Sequence, residues 1–170
     1  SLGNGIDPLE IIDQYGADVL RTYVLFMGDY EQAAPWSESS MKGCKRFTDR
    51  IWNLQDILVE GNEYSEDLSA DFHKTIKKVT EDIEALKYNT AIAALMTLLN
   101  AIYTKGSINK AELKALLLLV NPFAPHVTEE MWEVCGYGEM MAADGEWPTY
   151  DEAKCIDETI EIVVQINGKI

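Results

Sequence analysis

The chain has 170 residues, 47% of them hydrophobic and 25% charged, with a formal net charge of −15 from 14 Lys and Arg against 29 Asp and Glu. That suits one or two folded domains with a sizeable core, and no apolar run approaches the roughly 20 residues of a membrane span. So acidic a total weighs against a general polyanion binder, although a local basic stripe can survive on an acidic surface.

The three cysteines, Cys44, Cys135 and Cys155, are widely spaced and include no Cys-x-x-Cys pair. Neither a zinc site nor a disulfide framework is supported, and a reducing cytoplasm is the natural setting. The start lacks a basic stretch followed by an apolar one, so no secretory leader is read there.

In chain order, "GNGIDPLE" gives a loop and then a helix start. Asp7 is placed to cap, Pro8 suits the first helical position and Glu10 lies in the first turn. Gly16 stops this helix, and Asp18 starts a second one that runs to Gly28. Residues 29–36 read as a linker. Ser37 then caps a helix over about 38–59, with Cys44, Phe47, Ile51, Leu54 and Leu58 on its buried face.

The acidic run 62–71 reads as a loop. Phe72, Ile76, Val79, Ile83 and Leu86 mark the next helix, with His73 as a solvated residue on it. Asn89 is the expected cap of "TAIAALMTLLNAIY", which stops near Gly106. Asn109 and Glu112 make a capping box before "LKALLLLV", which Pro122 ends. Pro125 opens a short helix carrying Val127, Met131 and Trp132. The fold class is therefore all-α, an antiparallel helical bundle.

Beyond residue 140 the chain is irregular. Ile160, Ile162, Val164 and Ile166 then alternate as a strand before Asn167-Gly168, a hairpin-turn pair, giving a short C-terminal β segment. With a loop at one end and a half hairpin at the other, both ends read as cut.

Catalytic signatures are lacking: no His-Glu-x-x-His, no Gly-x-Ser-x-Gly and no phosphate-binding loop. His126, with Glu129 and Glu130 one turn on, is a weak metal candidate, and no metal is assigned. The informative cluster is "MKGCKRFTDRIWN", residues 41–53. Lys42, Arg46 and Arg50 recur every four residues on one helix face, flanked by Lys45. Such a stripe suits the backbone of RNA, arginine clamping phosphate with two parallel bonds. It suits equally a solvated face with ion pairs to Glu38 and Asp49. A second cluster, Lys74, Lys77, Lys78 and Lys87, alternates with Glu81, Asp82 and Glu84 and reads as a salt-bridged surface. The four tryptophans, Trp36, Trp52, Trp132 and Trp147, read as packing anchors, and Trp147-Pro148 as a loop pinned to the bundle.

Several stretches together resemble the leucyl-tRNA synthetases among class I aminoacyl-tRNA synthetases. "SLGNGIDPLEIIDQYGADVLR" is similar to the segment that overlaps the end of the KMSKS ATP loop and joins the catalytic domain to the helical domain. On that resemblance Ser1 is the last serine of the signature. "FMGDYEQAAPWSESSMKGCKRFTDRIWNL", "YNTAIAALMTLLN", "NPFAPHVTEEMWE" and "VVQINGKI" follow in the family's order. The valyl and isoleucyl branches share the first stretch, and a helical protein-interaction module is the alternative of another class.

The resemblance implies an anticodon-binding-type bundle over 37–154, preceded by linker helices (1–36) and followed by the start of a small C-terminal domain (155–170). It implies leucine ligation to tRNA(Leu) with ATP and Mg²⁺ in the full-length enzyme, no catalysis by this stretch alone, and a cytoplasmic location. Arg46 and Arg50 match the family's Arg-Phe-x-x-Arg. They are expected to grip the tRNA backbone, with Lys42 and Lys45 beside them. Arg21 matches the arginine after Gly-Ala-Asp and either joins them or pairs with Asp18.

Overall fold

The computed structural model describes residues 5–28 and 36–155. Among the described residues, eight α-helices are arranged around one main core. Helices α1 (Pro8–Tyr15) and α2 (Ala17–Phe26) are followed by α3 (Glu38–Trp52). The long helices α4 (Glu66–Glu84) and α5 (Tyr88–Lys105) form an antiparallel hairpin and share the most extensive helix–helix packing. Helices α6 (Lys110–Val120), α7 (Pro125–Val134) and the single turn α8 (Met141–Asp144) complete the set. The expected all-α bundle is what forms. The expected strand at 160–166, its turn at 167–168, Ser1 and most of the 29–36 linker lie outside the described residues.

The ends of the elements follow side-chain chemistry. Asp7 Oδ1 accepts the Leu9 N–H and Pro8 takes the first position of α1, while Gly16, at φ 91°, separates α1 from α2. Ser37 Oγ accepts the Ser40 N–H at the start of α3. The Asn109–Glu112 capping box closes in both directions, Glu112 N–H to Asn109 Oδ1 at 2.9 Å and Asn109 N–H to Glu112 Oε2 at 2.8 Å.

The main core is built from Ile51, Phe72, Ile76, Leu95, Leu99 and Leu117, among others, and Trp132 closes one side of it at 1% exposure. A smaller cluster, Val19, Tyr23, Met41 and Cys44, joins α2 to α3. Burial pushes the Cys44 thiol up to about 11, so this cysteine is a packing residue rather than a reactive one.

Three local expectations are corrected. The helix from Ser37 does not reach residue 59. It ends at Trp52 and tightens into a 3-10 turn over Asn53–Ile57, where the Gln55 amide donates to the freed Trp52 carbonyl. Leu58–Val59 (β1) then pairs in parallel with Ile108–Asn109 (β2), two short strands with no periodic signal. Helix α4 begins at Glu66, inside the acidic run read as a loop. Glu66 and Asp67 sit in its first turn, where negative charge suits the helix dipole, and Leu68 is buried. Asn89 caps nothing; α5 starts at Tyr88 without a side-chain cap.

His73, expected in solvent, is only 8% exposed, and its Nδ1 accepts the Asp151 N–H at 3.1 Å. That contact helps hold the segment after α8 against α4. Trp147 Nε1 donates to Thr80 Oγ1 at 2.9 Å, which is the pinned loop the sequence suggested. Of the tryptophans, Trp132 alone is a fully buried anchor. Trp36 meets the Tyr23 ring edge-on at 4.8 Å, and Trp52 stands 41% exposed.

Candidate nucleic-acid interface

Helix α3 owes its orientation to its apolar residues. Met41, Cys44, Phe47 and Ile51 are buried, so the face between them and solvent carries the basic side chains. Lys42 and Arg46 are exposed, and neither is bonded or ion-paired to any described residue. Arg50 is half-buried and held. Its Nη1 donates to Asn100 Oδ1 at 2.8 Å, its guanidinium lies 4.5 Å over the Tyr103 ring, and the Tyr103 hydroxyl donates to the Arg50 carbonyl at 2.7 Å. Burial raises the Tyr103 phenol, with the Arg50 charge acting against that rise, so Tyr103 stays neutral and donates.

Arg46 and Arg50 line one shallow groove of about 270 Å³ between α3 and α5, with Gly43, Met96, Asn100 and Phe26. The basic face is thus partly a loose, solvated edge and partly a rigid one.

Two of the expected tRNA contacts are placed differently. Lys45 Nζ binds both Asp49 carboxylate oxygens at 2.8 Å, an exposed pair one turn apart, so part of its charge is cancelled on its own helix. Arg21 stands apart from α3's stripe, and its Nη2 donates to the Pro122 carbonyl at 3.0 Å. Its alternative partner is also occupied. Asp18 accepts the backbone N–H groups of His126 at 3.2 Å and Val127 at 2.7 Å, and its Oδ1 lies 2.7 Å from His126 Nδ1. Asp18 therefore caps α7 from another helix, and Arg21 secures the turn just before it. Together they tie α2 to the α6–α7 corner.

This also accounts for the weak metal candidate. His126 faces Asp18, while Glu129 accepts the Met141 and Ala142 N–H groups at the start of α8. Among the described residues no three His, Cys, Asp or Glu side chains converge on a metal position.

A larger cavity of about 900 Å³ opens between α4, α6 and the 146–149 segment. Its lining mixes Lys114 and Lys154 with Glu63, Asp144 and Glu146, a balance that favours no anion. The α4 lysines behave as a salt-bridged surface: Lys78 binds Asp82 at 2.6 Å and Lys77 binds Glu152 at 3.0 Å. Sequence reasoning missed Asn100 and Tyr103. They lie about fifty residues from Arg50 in an apolar helix, and no local pattern marks them.

Comparisons with known proteins bear on the family and the fold. The model of the anticodon-binding domain of tRNA ligases matches residues 66–170, more than half of the chain. The chain belongs to that family. It is 53% identical over 171 residues to the leucine–tRNA ligase of Alkaliphilus oremlandii (strain OhILAs), a match that covers all of this chain and 21% of that protein. It therefore spans about a fifth of the length of the curated relative it matches. Its fold is similar to part of the crystal structure of the ternary complex of Agrobacterium radiobacter K84 agnB2 LeuRS, tRNA and LeuAMS. The TM-score is 0.80 at 32% identity, over 99% of this chain and 24% of that one. The leucyl resemblance and the bundle fold are both borne out, and family membership displaces the interaction-module alternative. Among the described residues no helix is long and apolar enough to cross a membrane.

Proposed function

We propose that this chain is the tRNA-gripping helical domain of a leucine–tRNA ligase, which positions tRNA(Leu) while catalysis proceeds elsewhere in the full-length enzyme. The observation that carries the reading is the α3 stripe. Lys42 and Arg46 have no acidic partner among the described residues, and Arg50 is held by neutral groups that leave its charge intact. Family membership and the tRNA in the related crystal complex support a nucleic-acid partner for the domain.

Phosphate contacts of this kind fix the position of the tRNA rather than read its sequence. Arg46 and Arg50 carry the grip, and Lys42 adds to it. Lys45 contributes less, because Asp49 competes for it. Arg21 acts through the α2–α7 tie rather than on RNA. Residues 1–36 serve as the junction to the catalytic part, 37–154 as the bundle and 155–170 as the start of the next domain.

ATP, Mg²⁺ and leucine belong to the catalytic part of the enzyme, which acts in the cytoplasm. Activation and transfer are assigned to that catalytic part and not to the helical domain. The test is Arg50→Ala in the full-length ligase. Loss of one charge-assisted phosphate contact is worth about 1.5–3 kcal/mol, so tRNA affinity should fall roughly ten- to hundredfold. The slope of log affinity against log salt should flatten by about 0.7–0.9. Leucine-dependent ATP–pyrophosphate exchange should be spared, and an equal loss of exchange would overturn the assignment.

A further inference from the structure

The contacts around Arg50 have a feature that a solvated surface arginine does not need. Asn100 and Tyr103 stand one turn apart on α5, so both face the same stretch of α3. Asn100 takes one guanidinium N–H, the Tyr103 ring supports the guanidinium plane, and the Tyr103 hydroxyl fixes the backbone of Arg50 itself. Both partners are neutral. An acid at either place would hold the side chain as firmly and cancel its charge, as Asp49 does for Lys45. The arrangement restrains an arginine without spending its charge, and the remaining N–H donors stay available at the groove.

The groove itself adds a second feature. Gly43 lies in the middle of α3, where glycine is unfavourable by roughly 0.5–1 kcal/mol against alanine. No described atom lies within 4 Å of where a Cβ on Gly43 would stand, so packing among the described residues does not require the glycine. Its effect is to leave bare helix backbone beside Arg46 and Arg50 in the same groove. A volume of about 270 Å³ is several times the roughly 30 Å³ share of a water molecule, enough for a phosphate group with its hydration.

We propose that Asn100 and Tyr103 are positioning residues that aim Arg50 across the α3–α5 groove, and that Gly43 keeps its floor open, so that the groove seats one backbone phosphate of the tRNA. This rests on the tRNA-gripping reading above and adds residues that themselves carry no charge. The Arg50 side chain is restrained before binding, so fewer rotamers are lost when phosphate arrives. Freeing one such side chain costs about three- to tenfold in affinity.

The experiment is a double-mutant cycle on tRNA binding by the full-length ligase at fixed salt. Asn100→Ala should weaken binding three- to tenfold in the parent enzyme and by less than about 1.5-fold in the Arg50→Ala background. Because Asn100 is exposed, folding should be unaffected, and thermal unfolding checks that. Tyr103→Leu should show the same loss of coupling, with Tyr103→Phe recovering most of the affinity through the retained ring. Gly43→Ala separates binding from folding: stability should rise while tRNA affinity falls. Equal effects of Asn100→Ala in both backgrounds, or a Gly43→Ala enzyme that binds as well as the parent, would overturn the positioned seat. If Arg50→Ala itself leaves binding and its salt slope unchanged, the tRNA-gripping role of α3 fails instead, so the two failures are distinct.

Discussion

Helices α3 and α4 carry similar numbers of basic residues, and the structure uses them in opposite ways. On α4, Lys78 is bound to Asp82 one turn away, and Lys77 reaches Glu152 on the segment packed across it. Each of those charges is answered by an acid, which leaves little field for a polyanion. On α3, Lys42 and Arg46 have no acidic partner among the described residues, and the partners of Arg50 are an amide, a phenol and an aromatic face. In a chain of net charge −15, the total says little about where RNA can bind. On the proposed reading, what distinguishes the gripping face from the structural one is whether the groups that hold its cations are themselves charged.

The comparison can be broken most forcefully at Asp82. This carboxylate is almost fully buried and accepts from Lys78 Nζ and from Thr90 Oγ1, both at 2.6 Å. Burial works to raise its pKa, yet the Lys78 and Thr90 hydrogen bonds, with the Lys78 and Lys87 charges, bring it below its ordinary value. Its contribution is therefore present above the usual carboxylate range and is lost as pH falls through it. Asp82→Ala should cost about 2 kcal/mol in urea unfolding at neutral pH. Binding of tRNA to the folded variant should stay within twofold of the parent. If affinity instead rises sharply because Lys78 is freed, α4 is a latent grip and the contrast with α3 falls.

A smaller effect is expected at the tie between α2 and α7. Asp18→Ala removes the acceptor for two backbone N–H groups at the start of α7 and should cost about 1–2 kcal/mol. The position of α2 against the bundle depends on this contact. The full-length variant should therefore lose aminoacylation more than tRNA affinity, whereas Arg50→Ala should show the reverse order. Measuring both for each variant places Asp18 and Arg21 on the structural side of the comparison or returns Arg21 to the RNA-binding set.

These contrasts also show what a sequence makes legible. The caps at Asp7, Ser37 and Asn109 and the burial of Cys44, Phe47 and Ile51 follow from local chemistry, so α1, α3 and α6 were readable at their starts. The α3 stripe was readable as a stripe, because four-residue spacing alone puts side chains on one face. Its division into free and paired cations was only half readable. Asp49 lies one turn from Lys45, but Asn100 and Tyr103 reach Arg50 through tertiary packing. The same limit hid the β1–β2 pairing, which joins two-residue strands about fifty positions apart. It hid the partners of Arg21 and Asp18 as well, since the Pro122 carbonyl and the α7 amides that claim Asp18 lie about a hundred residues away. The acidic run at 62–71 failed differently. Its charge suggested a loop, while Leu68 and Phe72 supplied the burial that made residues from Glu66 onward helical.

The smallest effect concerns His73, the residue whose placement departed furthest from a solvated position. Its Nδ1 is the acceptor for the Asp151 N–H, so this contact requires the neutral ring. Burial lowers its pKa below 6.5, the nearby Lys154 charge lowers it further, and Asp151 partly opposes them. The Tyr64 ring meets it edge-on, with ring centroids 5.4 Å apart. A histidine with a folded-state value below its unfolded one binds more protons unfolded than folded. Stability from this contact is therefore complete above about pH 6.5 and declines as pH falls below that value. Trp147, bonded to Thr80 on the same segment, reports the change. Its fluorescence should shift toward that of a solvent-exposed indole as pH falls below about 6.5, and His73→Gln, in which the amide oxygen accepts at any pH, should remove the transition. The α3 groove contains no such titrating group, so tRNA affinity over this range should follow only the tRNA and the salt. A drop in affinity that tracks the Trp147 signal and vanishes in His73→Gln would show that the α4 side is coupled to the grip after all.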